Sequence, residues 1–463
     1  MRKYFNCHSH THYSNLRLLD CINRPEDLIR KAIELGMSGI AITDHECISS
    51  HVEVSKLAEK LAETNPDFTV ALGNEIYLTD TRDCGQKYYH FILIAKDELG
   101  HKAIRELSST AWFHSYIDRR MERVPTLKSE LEEVMAKYRG HVIATTACIG
   151  GELSSNALTF AQATEVGDTT SAQYYYDKIV EFLTYCIRVF GDDFYIECAP
   201  SAYSDQRMVN TQLYKIAQYY GIKMVVGTDA HYLTAADRPV HKAYLNSKNG
   251  EREVDDFYAY SYLMDADEVD TLLAPCFPDG FVDEIFENTE DLRKKITTYS
   301  LFHKQDIPRV EVKDYPKEDF SKVADGEEFI KKYPHLAAMH NDDDVQNRYW
   351  VNECCNKLAE LGKYNDTYLS ELEEEARVKS VISEKLETNM FRYPNTLQHY
   401  IDMIWESGSM VGAGRGSSCA ALNHYLMGIT QLDPIQWDLP FFRYLNDERV
   451  ELGSLILILP SCK

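Results

Sequence analysis

The sequence predicts an α/β fold built on a mostly parallel sheet, and three observations predict it. Short apolar runs alternate with amphipathic stretches from residue 4 to about residue 235. Seven of the runs read as strands, with helical segments between most of them. Histidines, carboxylates and a cysteine gather where those strands end. Seven strand–helix units are enough to close a barrel.

The strand candidates, in order, are Tyr4–Cys7, Gly39–Thr43, Thr69–Gly73, His90–Ala95, His141–Thr145, Phe194–Cys198 and Lys223–Gly227. The clearest helix is Arg24–Leu35. Pro25 suits the first helical position, Glu26 and Asp27 suit the positive helix start, and Gly36 suits the stop. A second region begins near residues 240–280, with helices expected at Asp283–Ile296, Asn347–Leu361 and Leu369–Leu386 and a connector at Ser300–Gly326. The helix at Leu369–Leu386 carries Glu371, Glu373, Glu374, Glu375, Arg377 and Lys379, so much of it is expected to be a solvated face. The composition marks no sharp boundary. We expect one domain over 1–275 and a second over 276–463.

A chain of 463 residues can hold two to four domains. No apolar run follows Met1-Arg-Lys, and the stretch Leu455–Leu459 is far too short to cross a bilayer. The expectation is a cytoplasmic protein. The 12 cysteines are scattered, with no Cys-x-x-Cys pair, so reduced thiols are expected. A net charge of −24 argues against a protein that merely coats nucleic acid. It leaves room for an enzyme that holds DNA through metal ions and a local basic surface.

The functional signal lies at the strand ends. The first strand runs into His8-Ser-His10, the second into Thr-Asp-His45, the third into Gly-Asn-Glu75. His90 opens the fourth, the fifth reaches Cys148, and the seventh ends in Asp229-Ala-His231. In parallel α/β domains the carboxyl ends of the strands face the active site. Imidazole and carboxylate suit zinc, manganese or iron, and a thiolate pulls toward zinc. Metals about 3.5–4 Å apart activate water and steady an attacked phosphate. Taken singly, each residue has an ordinary explanation. His-x-His on one strand is most often surface or core, a lone Cys148 is most often a buried thiol, and His90 among Tyr88, Tyr89 and Phe91 suits a core. His12, His51, His101, His114 and His141 stay in that class. The convergence, not any one residue, marks a site.

The stretches His8-Ser-His10-Thr-His-Tyr-Ser, Leu19-Asp20, Ile42-Thr-Asp-His45 and Gly-Thr-Asp229-Ala-His231-Tyr resemble the PHP (polymerase and histidinol phosphatase) domain. They are most similar to the version at the front of bacterial replicative polymerases. The resemblance implies a seven-stranded β/α barrel with two or three divalent metals, zinc or manganese. It implies as ligands His8, His10, Asp20, His45, Glu75, His90, Cys148, Asp229 and His231. Hydrolysis of phosphoesters follows from it, including 3′→5′ removal of a misincorporated nucleotide.

Residues 409–428 read as a short strand, a glycine-rich turn and a helix opening at Ser417 or Ser418. Such a turn lets backbone approach a phosphate, and a helix start attracts anions. Gly412-Ala-Gly-Arg-Gly-Ser-Ser, Leu426-Met-Gly-Ile-Thr-Gln-Leu-Asp-Pro and Phe442-Arg-Tyr-Leu-Asn-Asp-Glu-Arg resemble the palm of the DNA polymerase III alpha (C-family) subunits. The resemblance implies that Gly414, Arg415, Gly416, Ser417 and Ser418 contact the incoming triphosphate. It also implies an incomplete α+β palm after the barrel, with primer–template DNA and deoxynucleoside triphosphates as partners. A C-terminal polymerase fragment, a proofreading exonuclease and a sliding clamp are further expected partners, and no membrane is. Two other readings remain: a stand-alone PHP phosphoesterase, and a dock for a separate exonuclease.

The family continues with a Pro-Asp-x-Asp strand that holds the magnesium ions of polymerisation. Here Ser454, Leu455 and Ile456 follow, and no aspartate comes after Asp447. Asp-Ile-Asp-Ile codons (GAT-ATT-GAT-ATT) read one nucleotide out of register give Leu-Ile-Leu-Ile, so a frameshift is one expectation and a split gene the other. Sequencing the locus separates them: in-register nucleotides without a downstream polymerase fragment exclude the frameshift. The 463-residue chain alone is expected to incorporate no nucleotide, and primer extension by the pure protein would contradict this.

Overall fold

The computed structural model describes residues 2–83, 85, 87–118, 121–247, 256–303 and 306–448. The chain forms two compact units, Met1–Phe302 and His303–Lys463. The tail 449–463, on which the reading of the missing aspartates falls, lies outside the described residues.

The first unit runs β1 (Phe5–Asn6), α1 (Pro25–Glu34), β2 (Gly39–Ile42), α2 (His51–Ala62), β3 (Thr69–Thr79), β4 (Tyr89–Ala95) and α3 (Glu98–Phe113). The hairpin β5 (Tyr116–Asp118) and β6 (Met121–Arg123) follows, then β7 (Pro125–Leu127), α4 (Lys128–Lys137), β8 (Val142–Thr145), α5 (Glu152–Glu165) and α6 (Thr169–Phe190). It ends with β9 (Phe194–Cys198), α7 (Ser204–Tyr220), β10 (Met224–Val226), α8 (Arg238–Asn246), α9 (Ala266–Leu273) and α10 (Phe281–Lys294).

The main sheet has the order β1-β2-β3-β4-β8-β9-β10, with β7 paired to β3. The ends are drawn together. The Cys7 N–H donates to Val226 O at 3.3 Å, and Ser9 bridges Ala230 just beyond. The result is a nearly closed, seven-stranded α/β barrel, as the strand count predicts. All of its pairings are parallel except those of β4, which runs antiparallel to both β3 and β8. That reversal turns the start of β4, and with it His90, toward the rim where its neighbours end.

Several details differ from the sequence reading. β3 continues through Glu75 to Thr79, so Glu75 is a strand residue rather than a strand end. The short β5, β6 and β7 went unread because three-residue strands carry no periodicity. The boundary expected at residue 275 falls inside the first unit. α10 belongs to the barrel: Asn288 Nδ2 donates to Met224 O at 3.0 Å and the Phe5 N–H donates to Thr289 Oγ1 at 3.2 Å. These bonds tie α10 across the seam between β10 and β1.

The second unit is helical: α11 (Gly326–Lys332), α12 (Pro334–His340), α13 (Val345–Glu360), α14 (Asp366–Leu386), α15 (Arg392–Glu406) and α16 (Leu422–Leu426). Its core gathers Trp350, Val351, Leu358, Leu372, Phe391 and Leu422. α14 departs from the solvated face expected of it. Glu375 and Lys379 are buried, the carboxylate accepting the Leu422 N–H at 2.5 Å and the Asn423 N–H at 3.1 Å. Lys379 Nζ lies 3.7 Å from Glu375 and 5.3 Å from the Trp350 ring centre. The strand expected before the glycine turn is not formed at 409–411, and the α-helix begins at Leu422 instead of Ser417, after a 3-10 turn at Gly416–Ala420. No strand of this unit is described that could pair with 409–411, and an isolated extended segment gains no ladder bonds.

Trp350 is fully buried. Trp350→Ala is expected to destabilise the second unit by about 3–5 kcal/mol, measured by denaturant unfolding followed by circular dichroism. A loss below about 1 kcal/mol would contradict the packing.

Candidate metal centre

The barrel's chemistry sits at one end. Glu75, fully buried on β3, is its hub. Its Oε1 lies 2.6 Å from His90 Nδ1 and 3.7 Å from His8 Nε2, and its Oε2 lies 2.6 Å from His45 Nδ1 and 3.3 Å from His10 Nε2. Asp229 Oδ1 approaches His8 Nε2 at 3.2 Å and His10 Nε2 at 3.1 Å. Asp20 Oδ2 approaches His45 Nε2 at 3.1 Å and His231 Nε2 at 3.4 Å. Cys148 Sγ lies 3.6 Å from His90 Nδ1. All the residues the sequence reading nominated as ligands thus adjoin one another. Three overlapping groups have metal-binding spacing: His10, His45 and His231; His8, His10 and Glu75; and Glu75, His90 and Cys148.

The outer hydrogen bonds fix which ring nitrogens face inward. His8 Nδ1 lies 2.7 Å from Glu197 Oε1, an acceptor, so Nδ1 carries the proton and Nε2 presents a lone pair. His231 Nδ1 donates to the Asp229 carbonyl at 2.8 Å, leaving Nε2 bare. His10 Nδ1 lies 3.1 Å from Ser14 Oγ, whose own proton goes to Asp44 Oδ1 at 2.9 Å. His10 therefore donates through Nδ1 and also turns a lone pair inward. His8 Nε2 and His10 Nε2 stand 3.0 Å apart, both facing Asp229 Oδ1.

Buried lone pairs cannot face buried carboxylates without a cation. Both Glu75 oxygens, Asp20 Oδ1, Asp229 Oδ1, His45 Nδ1 and His231 Nε2 are buried without a hydrogen-bond partner. Divalent ions would satisfy these atoms. Bonds of about 2.0–2.2 Å to nitrogen and oxygen place neighbouring ligand atoms roughly 3.0–3.4 Å apart, which matches the Asp229, Asp20, Glu75–His10 and His8–His10 spacings. Burial works against charge on Glu75, yet His90, His45 and His8 hold its carboxyl well below the ordinary range. Burial pushes the Cys148 thiol well above its ordinary value, and Asp229 and Glu75 push it further. Cys148 ionises only against a cation. The donor set fits divalent metal.

The backbone is shaped to aim these groups. Glu46, Ala147 and Asp229 are non-glycine residues with φ of 48°, 57° and 46°, each within one residue of a candidate ligand or itself one. Left-handed backbone at such residues costs on the order of 1 kcal/mol each. The cluster members are buried except His90, whose side chain is 27% exposed. The open edge of the site is therefore at His90.

Sequence reasoning missed the outer residues. Glu197 stands in the otherwise apolar, fully buried strand Phe-Tyr-Ile-Glu-Cys, and that misplaced charge was the available signal. Asp44 gathers protons from the Thr11, Ser14 and Ser50 hydroxyls, and His241 Nε2 donates to the Asp20 carbonyl at 2.5 Å. Of the histidines left aside, His51 and His101 pair at 3.0 Å away from the cluster.

In the second unit, Gly412 through Ser417 are exposed. Gly414 has φ +136°, and a Cβ there would meet Cys419 Sγ at 2.6 Å, so the turn requires glycine. Arg415 is exposed and makes no ion pair among the described residues.

A buried imidazole–carboxylate–thiol cluster at one end of an α/β barrel has the composition of a divalent-metal site. Residues 6–201 match the PHP domain family, and residues 345–454 match the family described as the bacterial DNA polymerase III alpha NTPase domain. The chain thus resembles a PHP domain followed by a segment of DNA polymerase III alpha. It is 38% identical over 97% of its length to Probable DNA polymerase YorL of Bacillus subtilis (strain 168), covering 36% of that protein. The DNA-directed DNA polymerase of Bacillus phage SPbeta matches with the same identity and coverage, 38%, 97% and 36%. The DNA polymerase III subunit alpha of Helicobacter pylori (strain ATCC 700392 / 26695) is 25% identical over 98% of this chain and 35% of its own. The chain spans about a third of the length of these relatives. Among the described residues, no helix is long and apolar enough to cross a membrane.

Elemental analysis of the purified chain is expected to find two or three divalent transition-metal ions. Glu197→Gln is expected to weaken metal retention about 10–100-fold by loosening the orientation of His8, read by chelator competition. Retention equal to wild type would remove Glu197 from the site.

Proposed function

We propose that this chain serves DNA replication as part of a DNA polymerase III alpha-type enzyme, and that its first unit is a metal-dependent phosphoesterase that trims mispaired 3′ ends. The observation that supports this most directly is the convergence of bare imidazole nitrogens and unpartnered carboxylates on one buried cluster, in a chain that matches polymerases over nearly all its length. In this reading His8, His10, Asp20, His45, Glu75, His90, Cys148, Asp229 and His231 hold up to three ions, zinc or manganese. Bound ions lower the pKa of water and polarise a phosphate. The chain's own residues do the positioning. Glu197, Ser14 and the Asp229 carbonyl keep His8, His10 and His231 in the tautomers that present lone pairs. Glu75 and His10 belong to two groups each and hold the sites close together. Burial keeps bulk water away from every member but His90, where the scissile phosphate enters.

The second unit supports the polymerase half of this reading through the exposed glycine turn. Gly414, Arg415, Gly416, Ser417 and Ser418 would meet the triphosphate of an incoming nucleotide, with the Arg415 guanidinium as the phosphate fork. The α-helix start does not serve there, because it comes only at Leu422, where the Leu422 and Asn423 N–H groups are taken by Glu375. Magnesium for polymerisation, a C-terminal polymerase fragment, a proofreading exonuclease and a sliding clamp belong to the same reading.

The purified chain with manganese or zinc is expected to shorten a primer bearing a mismatched 3′ end. Asp229→Asn and His10→Ala are expected to abolish that activity while the fold persists. Digestion unchanged in both variants, followed on denaturing gels, would reject the site.

A further inference from the structure

Beside the open edge of the metal cluster lies a groove of about 330 Å³ that the mechanism above does not use. It runs between the end of β3 and the start of β4 on one side and α5 and α6 on the other. Asp80, Lys87, Tyr89, Lys128, Glu152, Ser155, Asn156, Tyr174, Tyr175 and Lys178 are among its lining residues. It adjoins the site along the backbone: Tyr89 precedes His90, and Gly151, next to Glu152, bridges His90.

Its chemistry is that of a strand-binding surface. In a chain of net charge −24, three lysines gather here. Lys128 is neutralised by Glu152 at 3.0 Å and Asp80 at 3.1 Å. Lys87 is not. It donates to the Ser155 hydroxyl at 2.7 Å, stands 4.9 Å from the Tyr89 ring centre, and makes no ion pair among the described residues. Tyr174 and Tyr175 meet edge to face with ring centres 5.2 Å apart, and Tyr174 is 57% exposed. Asn156 is only 5% exposed, faces the groove, and makes no side-chain hydrogen bond among the described residues. Its amide, open to the groove, offers an acceptor oxygen and an NH₂ donor to a ligand.

We propose that this groove holds the nucleotide next to the scissile phosphate of a single-stranded DNA 3′ end. Lys87 meets the backbone phosphate, Tyr175 or Tyr174 gives the base a stacking face, and Asn156 meets the base edge. Lysine along the backbone with aromatic faces for the bases is how single strands are held without sequence preference. A paired duplex has no free base to stack, so the groove selects frayed, mismatched ends. The inference rests on the hydrolytic reading of the metal centre for its purpose, but its test does not need hydrolysis.

The test uses the metal-loaded full chain and a fluorescein-labelled oligothymidylate with phosphorothioate linkages at its 3′ end, so that cleavage is suppressed, followed by anisotropy. Tyr175→Ala and Asn156→Ala are each expected to weaken binding about tenfold. Lys87→Ala is expected to flatten the slope of log K against log salt by about 0.7, and Lys87→Arg to restore it. Tyr219→Ala, on the exposed face of α7, leaves binding unchanged. Oligonucleotide affinity equal to wild type in the groove variants overturns the proposal, as do equal binding of blunt duplex and no binding by wild type. Loss of mismatch removal with strand binding intact would instead reject the hydrolytic reading and leave the groove standing.

Discussion

The first unit is organised around one constraint: the Glu75 carboxylate is buried among four imidazoles, of His8, His10, His45 and His90, and neither of its oxygens has a well-formed hydrogen bond. Two of those rings, His8 and His10, are held with Nε2 turned toward carboxylate oxygens, and Glu197, Ser14 and Asp44 behind them keep them so. Such a cluster is stable only around positive charge. The ions that supply it would also contribute to the stability of the barrel, because an ion that binds the folded chain alone shifts the folding equilibrium.

The barrel exists in a form that makes this convergence possible. Parallel strands deliver His8, His10, His45, Asp229 and His231 from their carboxyl ends. His90 and Glu75 arrive differently. β4 runs backwards, so its first residues reach the rim its neighbours end at, and β3 runs past the end of β2 to carry Glu75 beneath them. Left-handed backbone at Glu46, Ala147 and Asp229 completes the aim. These are local costs that the buried sheet around them sustains.

The second unit uses a buried charge for a different end. Glu375 accepts the first N–H groups of α16 and sits beside Lys379, which is sandwiched against the Trp350 and Phe441 rings. Burial lowers the Lys379 ammonium below its ordinary value and raises the Glu375 carboxyl, each opposed by the other. The pair fixes the chain directly after the glycine turn, so the exposed loop is carried on a rigid base.

The sequence by itself determined the α/β class, the strands that carry chemistry, and the cluster residues near strand ends, because apolar runs of four or more residues and His, Asp and Glu at their ends are local signals; Asp20, outside any strand, followed only from the family resemblance. It also marked the glycine turn, since positive φ at Gly414 and Gly416 leaves a glycine in the sequence. It did not determine where the first unit ends. α10 looks like any amphipathic helix until Asn288 and Thr289 are seen to bind the seam between β10 and β1. Nor did it show that Glu197 orients His8, that Glu375 and Lys379 of an acidic helix are buried, or that Lys87, Asn156 and Tyr175 share a groove. Each of those depends on which residues far apart in the chain come to lie side by side. Hydrogen-bond partnership and burial are properties of that juxtaposition and leave no periodic trace in the chain.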